Sequence, residues 1–178
     1  MEDFIIIEPR GAAKRIRLVA IRPQDSERLR QWKNANREYF FYQKVISKTE
    51  QNIWMERYFA DEDNFLFLVE HRGESIGCLG FRKRPDGADI YNVIMARNEF
   101  AKKGLMSEGL ELLCSFIRQC HIKRIYLKVL KSNESAQIWY QQNHFQKTED
   151  CNDFFVMEFQ GKEIIPVHVT TIKKGILP

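Results

Sequence analysis

The sequence predicts an α/β (α+β) fold, with a mixed central β-sheet of about six to seven strands flanked by about four helices. The first observation is the order of its elements, β-α-α-β-β-β-α-β-α-β-β, in which strand-like stretches alternate with helical ones. The second is a pair of turn-type segments, 71–74 and 85–87, which separate three successive strands. The third is size, because 178 residues with 44% hydrophobic content suffice for one core.

The first part of the chain predicts one strand followed by two helices. Residues 16–21 alternate apolar and basic side chains, as expected of a strand. Asp25 or Ser26 can cap the first helix. Ser47 and Glu50 have the spacing of a capping box that begins the second helix. Both helices carry apolar residues, so we expect them to cover a face of the sheet.

The middle of the chain predicts an antiparallel meander and then a helix. A helical pattern runs to about residue 119, and an apolar strand follows it. Because short turns join the preceding strands, we expect neighbours in sequence to be neighbours in the sheet. The predicted strands are 65–70, 75–81, 88–96 and 124–129.

The C-terminal part predicts a short helix at 133–142 and a closing hairpin of strands 145–148 and 154–159. Residues 164–169 suit an edge strand or a docking tail, and residues 4–7 suit a short strand. We therefore expect a main domain over 15–160, with an N-terminal extension at 1–14 and a C-terminal strand or tail at 161–178.

The composition narrows the functional class. A net charge of +4 with no block of like charges fits anionic small molecules better than nucleic acid. No apolar stretch predicts a membrane span. The four cysteines form no C-x-x-C pair and have no metal-ligand spacing with the histidines, so we expect reduced thiols, no metal and a cytoplasmic location.

A basic turn with one glycine separates the third meander strand from the long helix. It comprises residues 101–104, with Lys102, Lys103 and Gly104. A helix N-terminus presents unpaired backbone N–H groups and a positive dipole end, which together suit a phosphate. Two solvated lysines are the alternative interpretation of the turn, but the strand-turn-helix context favours the phosphate.

Two motifs resemble those of the GCN5-related N-acetyltransferases. The family's Gln/Arg-x-x-Gly-x-Gly/Ala motif falls on Ala101 to Met106, with departures at both of those positions. The second block, Asn133 to Phe145, is similar to Asn-x-x-Ala-x-x-x-Tyr-x-x-x-Gly-Phe and departs only at His144, where the family has Gly. The resemblance covers about residues 15–160 and implies acetyl-CoA as co-substrate.

The resemblance implies a binding site for the co-substrate. A backbone N–H near Met95 or Ala96 would polarise the thioester carbonyl. Asn133 would hydrogen-bond the pantetheine amides, although it also suits a plain helix N-cap. The remaining implied contacts, which include the pyrophosphate cradle, are Arg97, Lys102, Lys103, Gly104, Leu105, Met106, Ser107, Ala136 and Tyr140.

The resemblance also suggests the chemistry. Tyr140 would act as the general acid that protonates the leaving thiolate, and a core aromatic is the alternative. No base is evident from the sequence. Glu70 or Asp89 could act through water, and Asp89 shares a face with Tyr91 if their strand is regular. A dedicated base is not required where alignment of two bound substrates supplies much of the rate.

The acceptor is expected to be a small-molecule primary amine. Trp32, Asn34, Tyr39 and Tyr91 are the predicted acceptor contacts, although the aromatic segment 39–42 also suits a simple cover for the sheet. The helix around Trp32 and the end of the Asn133 block resemble the acetyltransferase branch that acts on ribosomal proteins and nucleotide-linked amino sugars. A nucleotide sugar is therefore the leading acceptor. A protein N-terminus and a non-catalytic acyl-CoA-binding module are the alternatives, and a monomer or homodimer is expected.

Overall fold

The computed structural model describes residues 5–11, 15–162 and 165–170. Four α-helices lie in this part of the chain: α1 (Ser26–Ala35), α2 (Lys48–Ala60), α3 (Leu105–Gln119) and α4 (Glu134–Gln142). Its nine strands are β1 (Ile6–Pro9), β2 (Arg17–Ala20), β3 (Asn64–His71), β4 (Glu74–Arg84), β5 (Gly87–Met95), β6 (Ile125–Leu130), β7 (Phe145–Asp150), β8 (Phe154–Phe159) and β9 (Val167–Val169).

All nine strands form one mixed sheet in the order β7-β8-β6-β5-β4-β3-β2-β1-β9. Every neighbouring pair is antiparallel except β5 and β6, which run parallel. A parallel pair needs a crossover connection, and α3 supplies it. The basic turn at residues 101–104 therefore lies where the chain leaves β5 and enters α3.

The helices cover both faces of the sheet. α3 lies on one face, where its buried Leu110 and Leu113 pack in a core cluster with strand residues such as Phe67. α1 and α2 lie on the other face, where Leu29 and Met55 belong to a second cluster. α4 contacts β6 and β7 and places Tyr140 in the α3-side cluster. α3, which has the most buried apolar residues of the four helices, is thus held to the sheet by an apolar face.

Local signals in the sequence explain where α2 begins and how β3 and β4 are joined. The Ser47 hydroxyl accepts a hydrogen bond from Glu50 N, and the Glu50 carboxylate accepts one from Ser47 N, which confirms the capping box. Arg72 and Gly73 have positive φ values of 50° and 83° in the turn between β3 and β4. Such φ values suit a tight hairpin turn, which confirms the hairpin predicted at 71–74.

The predicted fold class is confirmed, but the sheet has nine strands in the described residues rather than six to seven. The additional pairing is between β1 and β9, which join at the edge of the sheet through Ile7↔Val169 and Pro9↔Val167. Strands this short give a weak sequence pattern, and their pairing is long-range. The predicted strands at both ends extended to Phe4 and Ile164, which lie outside the described residues. No helix in the described part of the chain is long and apolar enough to cross a membrane.

Candidate active site

The parallel strands β5 and β6 separate part-way along their length. They pair only where Ala88–Ile90 faces Ile125–Leu127. Beyond these residues β5 continues to Met95 and β6 continues to Leu130, and the two diverge. The separation opens the middle of the sheet and leaves one side of β5 without a strand partner.

A bulge in β5 lies at the start of this separation. The register between β4 and β5 shifts between Cys78 and Gly80, and Asn92 has a φ of 50°. A bulge adds a residue to one strand and redirects its side chains and amides. Because the shift occurs beyond Tyr91, Asp89 and Tyr91 still share one face of β5.

The backbone amides at the end of β5 distinguish the two predicted oxyanion donors. Ala96 N donates to Ile76 O at 2.9 Å, so this amide points toward β4. Successive amides of a strand point to opposite sides, which directs the Met95 amide toward the opening. Of the two candidates, Met95 is therefore the one whose N–H faces the open side of the sheet.

Two adjoining clefts occupy the opening. We call the first the front cleft; it has a volume of about 380 Å³ and lies between the end of β5, the basic turn and α4. We call the second the central cleft; it is of similar size and lies deeper, against the middle of β5 and the loop after α1. Both are lined by Tyr39, Phe40, Val93, Asn133, Ala136 and Tyr140.

The front cleft brings together half of the predicted co-substrate residues. It is lined by Met95, Lys102, Met106, Asn133 and Ala136 together with Tyr140. A strand end, a helix N-terminus and a facing helix therefore converge on one elongated space. This arrangement can take a flexible chain with a phosphate at one end and a reactive group at the other.

Gly104 shapes the start of α3. It is the N-cap residue, with a left-handed φ of 77°, and Lys102 is also left-handed at 59°. A Cβ added at Gly104 would meet only Arg15 Nη2, at 3.5 Å, so the space beside this backbone is open. The first amides of α3 have no partner within the helix and follow this open backbone directly, which fits a pyrophosphate. Ser107 and Leu105 lie in this first turn.

Not all of the predicted cations point to the clefts. Arg97 pairs with Glu74 at 3.2 Å and with Glu99 at 2.6 Å. Lys103 lies 5.3 Å from the ring centroid of Phe100, beside a separate hollow that also contains Arg15. Lys102 is the predicted cation that lines the front cleft.

Tyr140 lies at the centre of the arrangement. It is 9% exposed, and its hydroxyl makes no hydrogen bond to another described residue. Its ring packs edge-on against Trp139 and Phe145. Burial raises the pKa of Tyr140 above the ordinary phenol value, so the hydroxyl stays protonated at neutral pH and can serve as a proton donor.

Asn133 caps α4, as the plainer interpretation predicted. Its Oδ1 accepts from Ala136 N at 3.2 Å and from Ser135 Oγ at 3.2 Å. Asn133 also lines both clefts, which leaves its side-chain amide N–H groups available to a ligand. The cap and a binding role are therefore compatible.

The two predicted bases lie in different surroundings. Glu70 accepts a 2.8 Å hydrogen bond from Arg17 Nε and pairs with Arg17 Nη2 at 2.8 Å, and it lines neither cleft. Asp89 lines the central cleft, with Arg82 at 4.0 Å. Burial raises the pKa of Asp89 against the opposing charges of Arg82 and Lys128. Of the two residues predicted as possible bases, Asp89 is thus the one that lines a cleft.

The predicted acceptor contacts are only partly brought together. Tyr39 and Tyr91 line the central cleft, and Tyr91 also donates a 2.6 Å hydrogen bond to Asn64 Oδ1. Asn34 instead clamps the loop after α1, with both side-chain atoms bonded to the Ile46 backbone at 3.0 Å and 2.8 Å. Trp32 packs against the α1–α2 cluster and lines neither cleft.

Lys33, Arg82 and Asn92 line the central cleft and were not predicted. Lys33 donates a 2.7 Å hydrogen bond to Asn92 Oδ1, and its Nζ lies 3.1 Å from the Phe40 ring centroid. Burial lowers the pKa of Lys33 to about 7. Arg82 lies over the Tyr91 ring at 4.0 Å. A lysine one position after Trp32 on a helix gives no sequence signal of burial, because the neighbouring loop encloses it.

The part of the chain that the structure describes contains no cluster of three or more potential metal-ligating side chains.

The family model described as an acetyltransferase (GNAT) domain matches residues 15–146, which is most of the chain. The chain belongs to the GNAT acetyltransferase family. It is an acetyl-CoA-dependent N-acetyltransferase, and the prediction of an enzyme is confirmed.

Solved structures of other GNAT proteins share the fold. A nucleotide-linked sugar GNAT, FdhC, has a TM-score of 0.68 at 16% identity over 81% of this chain and 85% of its own. The spermidine N-acetyltransferase of Vibrio cholerae, bound to CoA and spermine, has a TM-score of 0.67 at 19% identity over 81% and 93%. RimL, a ribosomal L7/L12 α-N-protein acetyltransferase in complex with CoA, has a TM-score of 0.66 at 19% identity over 93% and 98%.

At these identities the likeness shows the fold alone. Comparison with curated protein sequences gives no match. The GNAT structures named above differ in the acceptors that their descriptions give: a nucleotide-linked sugar, a polyamine and a protein N-terminus. The acceptor of this chain must therefore be argued from its own clefts.

Proposed function

We propose that this enzyme transfers the acetyl group of acetyl-CoA directly to the primary amine of a nucleotide-linked amino sugar. The observation that carries the proposal is the charge of the central cleft, which holds Lys33, Arg82 and Lys128 against the single carboxylate of Asp89. A cationic cleft favours an acceptor with an anionic group. The aromatic side chains of Tyr39 and Tyr91 in the same cleft suit the stacking of a sugar or base ring.

The residues of the chain suggest a role for each group in the reaction. Acetyl-CoA supplies an activated thioester to the site. The Met95 amide would stabilise the negative charge that develops on the thioester oxygen. Asp89 would take a proton from the acceptor amine through water as the amine forms its bond to the carbonyl carbon. Tyr140 would donate its proton to the departing sulfur as the C–S bond breaks.

The co-substrate would lie along the front cleft. Amides of the first turn of α3, from Gly104 to Ser107, would hold the pyrophosphate with support from Lys102. Asn133 would bond the pantetheine amides, and Ala136 would leave room for that arm. The bound CoA in the structures of the spermidine enzyme and RimL supports a CoA-binding fold of this kind.

A polyamine acceptor is disfavoured by the same charges. The spermidine enzyme was solved with spermine, a polycation. A polycation would meet like charge at Lys33, Arg82 and Lys128. A protein N-terminus, as for RimL, is the second candidate, because the aromatic loop 39–42 is exposed at Tyr39, Phe41 and Tyr42 and could contact a peptide.

An acceptor screen tests the proposal. The full chain is incubated with acetyl-CoA and one of three acceptor classes (UDP-linked amino sugars, N-terminal peptides and polyamines), and released CoA thiol is measured. Turnover with a UDP-linked amino sugar at the highest kcat/KM supports the proposal. Preference for a peptide would support the second candidate, and preference for a polyamine would contradict the charge argument. Light scattering of the same sample tests the expectation of a monomer or homodimer.

A further inference from the structure

A third cavity lies between α1, α2 and the sheet, beside the central cleft. It has a volume of about 540 Å³, and we call it the α2 cavity. The two spaces share Lys33, Tyr42, Arg82 and Asn92 as walls. A ligand that reaches Tyr140 through the central cleft would therefore meet Lys33 at the boundary with the α2 cavity. The volume is typical of a small-molecule site.

Gln51 of α2 lines this cavity and carries an unsatisfied donor. Its side chain is only 5% exposed. Among the described residues, Gln51 Nε2 is the only buried side-chain nitrogen or oxygen without a hydrogen-bond partner. Buried polar groups are nearly always satisfied, because an unpaired one costs free energy. A ligand that accepts hydrogen bonds would supply the absent partner.

The charges around the cavity are unbalanced. Lys33, Arg57 and Arg82 line it, with Glu50 as the only carboxylate among its lining residues. Glu50 is already engaged by Ser47 N at 2.8 Å and by the Tyr42 hydroxyl at 3.0 Å. Lys33 and Arg57 form no salt bridge to a described residue. The cavity thus presents cations and an amide donor without a matching anion.

The protonation of Lys33 agrees with this imbalance. Burial lowers its pKa to about 7, and the neighbouring charge of Arg82 acts in the same direction. An anion beside Nζ would favour the ammonium form and raise that pKa again. Lys33 would then act as the neutralising cation of a bound ligand and bridge the cavity to the central cleft.

We propose that the α2 cavity binds the anionic group of the acceptor, a phosphate or a carboxylate, through Gln51 Nε2, Arg57 and Lys33. The proposal rests on the proposed function, because it places the amine end of the same molecule near Tyr140. It deepens that function by assigning the anion to a site on the opposite side of Lys33 from the acetyl-transfer centre. Specificity for an anionic acceptor would then be set by α2 rather than by the acetyl-CoA cradle.

Calorimetry on the full chain tests the proposal. The protein is first saturated with CoA, so that the phosphate cradle at α3 is filled, and is then titrated with UDP or with glutarate. The informative variant is Gln51→Glu, which keeps the size of the side chain but places a carboxylate in the cavity. The matched control is Asn52→Asp, the same chemical change at the next, exposed position of α2, outside the cavity.

A second pair of variants guards against misfolding. Arg57 is exposed on α2, so Arg57→Gln removes one cavity cation without disturbing the core. Lys48→Gln removes an exposed cation from the same helix outside the cavity and serves as its control. CoA affinity is measured for every variant and is expected to match that of the wild-type chain.

We expect Gln51→Glu and Arg57→Gln each to weaken anion binding by about tenfold or more, with both controls unchanged. If UDP binds in this manner and glutarate does not, the anionic group that the cavity takes is a phosphate. If glutarate binds and UDP does not, that group is a carboxylate. Absence of binding by either anion, or binding that is insensitive to Gln51→Glu and Arg57→Gln, overturns the proposal. Failure of the wild-type chain to bind CoA would instead contradict the proposed function. The anion site would still be tested in that case, because the same variants can be titrated with the anion in the CoA-free protein.

Discussion

Lys33 Nζ donates a 2.7 Å hydrogen bond to Asn92 Oδ1 and so ties α1 to the bulge of β5. Asn92 has a φ of 50°, a conformation that Asn adopts more readily than most residues. The contact fixes the wall between the central cleft and the α2 cavity. The position of a buried ammonium is thereby linked to the shape of the strand that would hold the acetyl group.

We expect Lys33→Met to stabilise the free enzyme at neutral and acidic pH. Burial lowers the pKa of Lys33 to about 7, whereas an unfolded lysine has a pKa of about 10.4. Between these values the unfolded state binds more protons, so wild-type stability rises with pH by up to about 1.4 kcal/mol per unit. Below about pH 7 the folded state bears the full desolvation cost, which methionine avoids.

Urea unfolding at about pH 6 and at about pH 10 measures this effect. The advantage of Lys33→Met should be largest at the lower pH and should shrink as pH rises. Lys48→Met, an exposed lysine of α2, provides the control and should show no such trend. A stability difference independent of pH would mean that Lys33 keeps an ordinary pKa in the folded chain.

We expect Gly104→Val to weaken CoA binding by more than about tenfold. The φ of Gly104 is 77°, and its Cβ position faces open space apart from Arg15 Nη2 at 3.5 Å. A side chain here would fill the hollow in front of the α3 amides. Titration of CoA into the variant measures the loss.

Gly73→Val controls for backbone strain in this experiment. Gly73 has a similar φ of 83° and also has open space at its Cβ position, but it lies in the turn between β3 and β4. Each substitution costs about 1–2 kcal/mol of stability through the left-handed conformation. CoA affinity should fall in the Gly104 variant alone. Equal CoA affinity in both would remove the turn from the site.

Much of the fold follows from local sequence signals. The capping box at Ser47 and the hairpin turn at Arg72–Gly73 depend on residues a few positions apart, and both occur as predicted. The pairing of β1 with β9 joins residues at opposite ends of the chain. Such a pairing depends on three-dimensional closure, which no local pattern encodes.

The site was predictable to the extent that its residues lie in motifs. Met95, Lys102, Asn133 and Tyr140 come together in the front cleft because strand, turn and helix follow one another in sequence. The hydrogen-bond partners of Glu70 and Asn34 could not be predicted from sequence motifs. Arg17 and the Ile46 backbone engage them through tertiary contacts, and the enclosure of Lys33 arises similarly.

We expect Asp89→Asn to lower turnover by about a hundredfold if Asp89 accepts the amine proton. Burial raises the pKa of this carboxyl, so the acidic limb of the kcat/KM profile should lie above the range of an ordinary aspartate. The limb should disappear in the variant. Asp63→Asn, an exposed carboxylate paired with Lys83 at 3.8 Å, is the control. An unchanged limb in Asp89→Asn would assign it to another group.

We expect Tyr140→Phe to lower kcat by about a hundredfold while the affinity for acetyl-CoA stays close to that of the wild-type chain. The substitution removes one hydroxyl that makes no hydrogen bond to a described residue, so the edge-on packing against Trp139 and Phe145 is kept. Loss of turnover without loss of binding is the signature of a group that acts in the transition state. Steady-state kinetics and acetyl-CoA titration measure the two quantities.

Tyr126→Phe provides the comparison for the loss of a tyrosine hydroxyl. Its hydroxyl lies 3.3 Å from Asp86 Oδ1, on the part of β6 that is still paired with β5. This variant should keep its turnover, because Tyr126 lines neither cleft.

Because burial raises the pKa of Tyr140, the wild-type enzyme should hold its proton donor well into alkaline conditions. Unchanged kcat in Tyr140→Phe would make Tyr140 a packing residue and would leave protonation of the thiolate to water.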